Sequence, residues 1–266
     1  MSIRIIVAGA SGKMGQEVVK LIEKTEHFAI VCGVSRTYQN KDVGEVVGIG
    51  KINVPMLASV KEALEKYEAD VLIDFTTPEV VKKHAKLAIE AGVRPVIGTS
   101  GLSEQAVQEI AELAKAKKVG AIVAPNFAIG AVLMMAFAAK AAKYLPHVEI
   151  IELHHDQKLD APSGTAIKTA EGIQQERVER KQGHPKEEEL IEGARGAYYH
   201  GFRIHSVRLP GLVAHQEILF GGAGQMLTIR HDSFHRESFM PGVKLAVEKV
   251  MDLDTLIYGL EHVIEI

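Results

Sequence analysis

Two adjacent histidines, His154 and His155, stand just ahead of Lys158, and the chain then turns through Ser163-Gly164-Thr165. Histidine is the side chain whose ordinary pKa lies nearest neutrality, so it suits proton transfer; a lysine adds a cation and a second donor. Val148, Ile150 and Ile151 precede the pair as β-branched residues of a strand, and Asp160-Ala161-Pro162 breaks it. A helix beginning at Ser163-Gly164-Thr165 and continuing through Ala166, Ile167 and Ala170 leaves N–H groups without intrahelical partners, aimed back at the histidines and the lysine. His155, Lys158, Gly164 and Thr165 therefore read as an anion site, matched to a small molecule that carries carboxylates. No metal is expected, since there is neither a His-Glu-x-x-His spacing nor a cysteine cluster.

A second motif, Gly9-Ala10-Ser11-Gly12-Lys13-Met14-Gly15, follows the strand candidate Ile3-Val7 and opens a helix with Val18, Leu21 and Ile22 on one face. In a strand, turn and helix of this kind Gly9 permits the tight turn and Gly12 lets a pyrophosphate approach the backbone. Gly15 lets helix and strand close together, and Lys13 stands beside the phosphates. The spacing is G-x-x-G-x-x-G rather than the commoner G-x-G-x-x-G. In a doubly wound sheet the ligand also crosses other strand ends, here Phe75-Thr76-Thr77, Gly98-Thr99-Ser100 and Ala124-Pro125-Asn126-Phe127. About 20 positions past such a turn an acid accepts the ribose 2′-OH of NAD, whereas a nearby arginine suits the 2′-phosphate of NADP. This chain has Ser35 and Arg36 there, so NADPH is the expected preference over NADH, with Asp42 the nearest acid able to serve NADH.

Positioning these groups requires two kinds of architecture. Up to about residue 125, β-branched runs at Ile3-Val7, Ala29-Val34, Val71-Phe75, Pro95-Ile97 and Ala121-Val123 alternate with helical patterns, the signature of a parallel sheet. Ser59 with Glu62, Thr77-Pro78 and Ser103 mark helix starts. Beyond Asn126 come a helix of about 16 residues, the histidine strand, and a helix over 164–179. The charged stretch Lys181 to Gly201 reads as a mobile loop. Strands at Phe202-Arg208, Glu217-Phe220 and Met226-Arg230 then suggest a mostly antiparallel sheet. The segment from Pro241 to about Leu253 has an apolar face suited to covering the first sheet.

With these residues assembled, the chain resembles the 4-hydroxy-tetrahydrodipicolinate reductase family. The glycine turn, Asp74-Phe75-Thr76, Gly98-Thr99-Ser100-Gly101 and Ala124-Pro125-Asn126-Phe127 all carry the likeness. The specific motif is Glu152-Leu153-His154-His155-Asp156-Gln157-Lys158-Leu159-Asp160-Ala161-Pro162-Ser163-Gly164-Thr165. The resemblance implies an α/β protein: a Rossmann-type doubly wound sheet formed by 1–126 and 236–266, with an α+β substrate-binding and tetramerisation domain inserted at 127–235. It implies NAD(P)H-dependent reduction of 4-hydroxy-tetrahydrodipicolinate to tetrahydrodipicolinate in lysine and diaminopimelate synthesis. His154 takes the acid/base role in the family pattern, with Lys158 as a second proton donor. Two rivals share much of this sequence: another two-domain NAD(P)-dependent dehydrogenase acting on an amino acid or aldehyde, and a non-catalytic NAD(P)-binding sensor.

Composition narrows the classes further. A chain of 266 residues with 47% hydrophobic content can bury a substantial core. A net charge of −3 with scattered basic residues argues against nucleic acid or a membrane surface as partner. The apolar stretch Ala128 to Ala139 is too short to cross a bilayer. Residues 1–7 run straight into a strand pattern without signal-peptide features, and the single cysteine, Cys32, lies in an apolar run, so a cytoplasmic location is expected.

Overall fold

The β-branched runs of the first half pair into one parallel sheet. In the computed structural model, which describes residues 2–264, β1 (Ile3–Ala8), β2 (Phe28–Val34) and β3 (Met56–Leu57) lie on one side, and β4 (Val71–Asp74), β5 (Arg94–Ile97) and β6 (Ala121–Val123) on the other. With β12 (Leu256–Tyr258) the order is β12-β6-β5-β4-β1-β2-β3, and every neighbouring pair is parallel. The winding reverses between β1 and β4, the point where such sheets bind ligands beyond their carboxyl ends. All four residues of β4 and the last four of β1 are buried, as expected of strands covered on both faces. Cys32 sits in this core, where burial pushes its thiol up to about 12.

The connecting helices are α1 (Lys13–Glu23), α2 (Val43–Val47), α3 (Val60–Lys66), α4 (Pro78–Glu90) and α5 (Glu104–Lys117). Ser59 and Ser103 cap α3 and α5 through their side chains, accepting from Glu62 N and Ala106 N. Thr77 precedes Pro78 at the start of α4, but its hydroxyl makes no capping bond. A late helix, α8 (Met240–Val250), packs against α1, β5 and β6 with Val243, Ala246, Val247 and Val250 buried.

A second sheet has the order β11-β10-β7-β9-β8. Its central strand is β7 (His147–His154), which pairs in parallel with β9 (Phe202–Arg208) and antiparallel with β10 (Ala214–Gly222). β10 pairs in turn with β11 (Gln225–Ser233), and β9 with β8 (Ala197–Tyr199), both antiparallel. Two helices, α6 (Ile129–Ala142) and α7 (Gly164–Glu176), share a core with this sheet built from Met134, Ala138, Val148, Ile150, Ala170, Ile173, Phe202 and Phe220.

The stretch read from sequence as a mobile loop is irregular only as far as residue 196, since Ala197–Tyr199 forms β8. It is also fastened. The Gln182 side chain hydrogen-bonds both backbone groups of Val148, and the Arg195 guanidinium donates to Glu149 Oε1 at 2.6 Å. The described residues divide into two compact units, 2–127 with 239–264, and Ala128–Ser238. Of the spans assigned to domains from sequence, residues 1, 265 and 266 lie outside the described residues.

Candidate functional site

The first unit carries a cleft at the carboxyl ends of β1, β2 and β4. The turn after β1 is tight because Gly9 adopts φ 78°, with Gly9 N and Ala10 N both donating to Val34 O. A side chain at Gly9 would run into Phe75 O at 2.5 Å, so only glycine lets the turn lie against β4. Gly12 then begins α1 with no side-chain cap, and the N–H groups of Lys13 and Met14 meet no acceptor among the described residues. That leaves the positive end of the helix open to an anion.

The cleft is about 400 Å³, within the range of small-molecule sites. Of the residues assigned to the cofactor from sequence, Gly9, Ser11, Gly12 and Arg36 line it, and no acidic residue does among the described residues. Ser35 is buried, its hydroxyl shared with Ser11 Oγ at 2.8 Å. Asp42, the acid considered for NADH, is engaged elsewhere: its carboxylate accepts from Glu45 N, Ile52 N and Val54 N.

Of the other strand tips Phe75, Thr76 and Thr77 line this cleft, whereas Gly98-Thr99-Ser100 and Ala124-Pro125-Asn126-Phe127 do not. The Thr99 hydroxyl donates to Asp74 Oδ1 at 3.0 Å and accepts from Thr76 N at 2.9 Å, while a side chain at Gly98 would strike the Phe75 ring. Ala10, Ala124 and Phe127 are buried, Phe127 packing against Phe75 at 5.8 Å between ring centroids, so they can offer a ligand only backbone atoms. Ser100 and Pro125 are exposed, Asn126 partly so. Two residues given no role from sequence join this region. His84, on the inner face of α4, lines the cleft and meets buried Asp74 through Nδ1 at 2.8 Å.

The second unit carries the histidine site. Side chains of a strand alternate in direction, and Val148, Ile150 and Glu152 of β7 all point to the buried face, with His154 next in the row. Glu152 is fully buried and accepts from His154 Nδ1 at 2.5 Å, from both terminal nitrogens of Arg208 at 2.9 and 2.7 Å, and from Ser163 N at 3.3 Å. Burial alone would raise this carboxyl, but hydrogen bonds from His154, Arg208 and Ser206 outweigh it and hold the group down to about 2. A carboxyl depressed on folding gives stability that is full above its ordinary value and is lost as pH falls through the folded one. The melting temperature should therefore drop as pH is lowered from about 4.5 towards about 2, and drop less in Glu152→Gln.

Beyond β7 the chain folds back on itself. Lys158 Nζ meets Asp160 Oδ1 at 2.5 Å, Lys158 being mostly shielded and Asp160 largely exposed. Arg208 donates to Asp160 O, which ties the turn to β9. Ser163 caps α7 by accepting from Ala166 N, and the N–H groups of Gly164 and Thr165 meet no acceptor among the described residues. His155 is exposed. The segment can thus hold an anion beside an imidazole able to exchange a proton. Glu152 enters from sequence only as the first residue of the specific motif and Arg208 only as the end of a strand candidate, neither with a role, although an acid in the buried row of an alternating strand was a visible sign.

Comparison with known proteins bears on both units. A family model described as dihydrodipicolinate reductase, N-terminus, matches residues 3–127, and one described as dihydrodipicolinate reductase, C-terminus, matches 130–264. A 4-hydroxy-tetrahydrodipicolinate reductase of Bacillus cereus is 58% identical over 263 residues, covering 99% of each chain. A solved dipicolinate-bound dihydrodipicolinate reductase from Paenisporosarcina sp. TG-14 superposes with a TM-score of 0.90 at 50% identity, covering 99% of this chain and 100% of that one. An amine dehydrogenase from Mycobacterium smegmatis, at 15% identity and a TM-score of 0.71, covers 98% and 96% and shares the fold alone.

Proposed function

The chain belongs to the dihydrodipicolinate reductase family, and from that premise we propose that it is an NAD(P)H-dependent oxidoreductase reducing 4-hydroxy-tetrahydrodipicolinate to tetrahydrodipicolinate, in lysine and diaminopimelate synthesis. The observation that carries this reading is the turn after β7, where His154, His155, Lys158 and the open start of α7 gather within one short segment. A rival dehydrogenase acting on an amino acid or aldehyde has no special need of a pocket for two carboxylates. A cofactor-binding sensor has no need of an imidazole beside it.

The residues present fit a dinucleotide: a glycine turn, an uncapped helix start and an acid-free cleft with an arginine at its rim. NADPH or NADH bound there supplies the hydride. The turn of Gly9, Ala10, Ser11 and Gly12 lets the phosphates approach the backbone, Lys13 and Met14 offer them open N–H groups and Lys13 a cation, and Arg36 faces the ribose. Gly98, Thr99, Ser100, Ala124, Pro125, Asn126 and Phe127 are assigned to the remainder of the cofactor. His155, Lys158, Gly164 and Thr165 hold the two carboxylates of the substrate, as charge-assisted and helix-terminal donors do. Replacing a hydroxyl by hydrogen releases water and consumes one proton besides the hydride. His154 and Lys158 are the groups that deliver it.

NADPH should be preferred. Arg36 has no side-chain partner among the described residues, and a guanidinium makes charge-assisted bonds to a phosphate that a ribose hydroxyl cannot match. Because the group is exposed and screened, we expect roughly tenfold in kcat/KM, equivalent to about 1.4 kcal/mol. Arg36→Ala should remove that margin while NADH use stays within about twofold. Steady-state constants for both cofactors at fixed ionic strength decide it, and a native preference for NADH defeats it.

The working protein is assigned to the cytoplasm as a homotetramer built on the second sheet, whose strand β11 exposes Met226 and Leu227. No helix among the described residues is long and apolar enough to cross a membrane. Light scattering should return four times the chain mass of 28.9 kDa. The function itself is tested by following NADPH oxidation when the fresh condensation product of aspartate semialdehyde and pyruvate is supplied. Nucleotide binding without oxidation would leave the sensor as the better reading.

A further inference from the structure

We propose that Glu152 is a positioning residue for His154, fixing which imidazole nitrogen carries the proton and which faces the reaction, and that Arg208 holds the Glu152 carboxylate in the orientation this requires. The inference rests on the reading of His154 as the proton-transfer group. A carboxylate in the fully buried position of β7 is costly unless every lone pair finds a donor. Here the donors come from three segments: His154 on the same strand face, Arg208 on β9, and Ser163 N at the start of α7.

The direction of the His154 bond follows from charge. An ionised carboxylate can only accept, so the proton in the contact with Glu152 Oε2 belongs to His154 Nδ1. Nε2 is then the free nitrogen, and it meets no partner among the described residues. With Nδ1–H held by the carboxylate, Nε2 is the nitrogen through which the doubly protonated ring gives its proton to the substrate, and it is left as the bare acceptor afterwards; without the carboxylate the ring could rotate or keep its remaining proton on Nε2. Arg208 grips both carboxylate oxygens at once, a fork that sets the plane of the group and hence the line to Nδ1. Through Ser163 N the same carboxylate fixes the helix start whose N–H groups face the anion. One buried side chain thereby sets the spacing between the proton-transfer group and the anion anchor.

Two readouts test this. Glu152→Gln keeps size and one accepting oxygen but can also offer Nδ1 a donor, so kcat should fall about 10- to 100-fold, the usual effect of losing such a supporting partner. The substrate KM and the NADPH Kd should stay within about twofold, which loss of a merely structural group would not allow. In protein labelled with 15N-histidine, the neutral His154 of the wild type should carry its proton on Nδ1, and Glu152→Gln should yield a mixture of tautomers. Wild-type turnover in Glu152→Gln overturns the proposal, as does a kcat loss matched by lost NADPH binding. Should that variant not fold, the wild-type spectrum still decides, because a proton on Nε2 of neutral His154 refutes the assignment. If instead the wild type fails to reduce 4-hydroxy-tetrahydrodipicolinate, the functional reading falls while the tautomer measurement stands on its own.

Discussion

His154→Ala and Lys158→Ala should each lower kcat by about 10²- to 10⁴-fold, the usual range for removing a positioned proton donor, with NADPH affinity near normal. The separation of effects is expected because both residues belong to the second unit and the glycine-turn cleft to the first. His154 offers a free Nε2 beside the open start of α7. Lys158 differs in being paired with Asp160 across 2.5 Å. Asp160 is largely exposed, and an ion pair that reaches solvent on one side holds weakly, so a substrate carboxylate can take its place. The two variants should therefore be distinguishable: His154→Ala loses kcat alone, whereas Lys158→Ala also raises the substrate KM. Single-turnover kinetics with a fluorescence titration of NADPH separates these quantities. Near-wild-type turnover in both variants would defeat the assignment.

Gly15→Ala should be a severely damaging substitution in the first unit. A methyl group there would meet the Gly9 carbonyl carbon at 2.7 Å and Ala10 Cα at 2.8 Å, both backbone atoms that cannot swing aside. Either α1 moves off β1, opening the cleft, or the glycine turn unwinds and loses the N–H groups that face the phosphates. Overpacking typically costs about 1–3 kcal/mol, and rigid backbone against the new methyl group puts this case near the upper end. At 2–4 °C per kcal/mol for a domain of this size, the melting temperature should fall by roughly 6–12 °C, with NADPH binding lost. Gly164→Ala supplies the contrast: a methyl group there meets nothing within 4 Å, so the melt should be unchanged within about 1 °C. Equal melts for Gly15→Ala and the wild type would show that the turn adapts.

Legibility in the sequence followed the range of the interactions involved. The turn from Gly9 to Gly15 is a local device, and seven consecutive residues state its geometry. The β7 strand and the start of α7 were equally readable, because Ser163 caps its own helix and Pro162 ends what precedes it. Elements that exist through their partners were not. β3 and β12 have two and three residues, too few to show a period, and β8 lies in a charged stretch where only pairing with β9 makes it a strand. The same holds for side chains. Glu152 and Arg208 lie 56 positions apart, joined by parallel pairing that no local pattern announces. His84 reaches Asp74 only because Val81, His84 and Ala85 fall on one face of α4, turned towards the end of β4.

The pairing of β7 with β9 sets Glu152 opposite Ser206 and His154 opposite Arg208. Strand register has a period of two, so adding one residue within β9 ahead of Arg208 would turn its guanidinium to the far face. Glu152 would keep its buried charge and lose its fork. The chemistry thus acts as a gauge of alignment, and tolerance to insertion should differ sharply along this part of the chain. Between 183 and 196, where the backbone is irregular, an added residue lengthens a surface segment. Inside Phe202–Arg208 the same residue separates the imidazole from the group that aligns its partner, so length variation among related chains should collect in the first stretch and stop at the second.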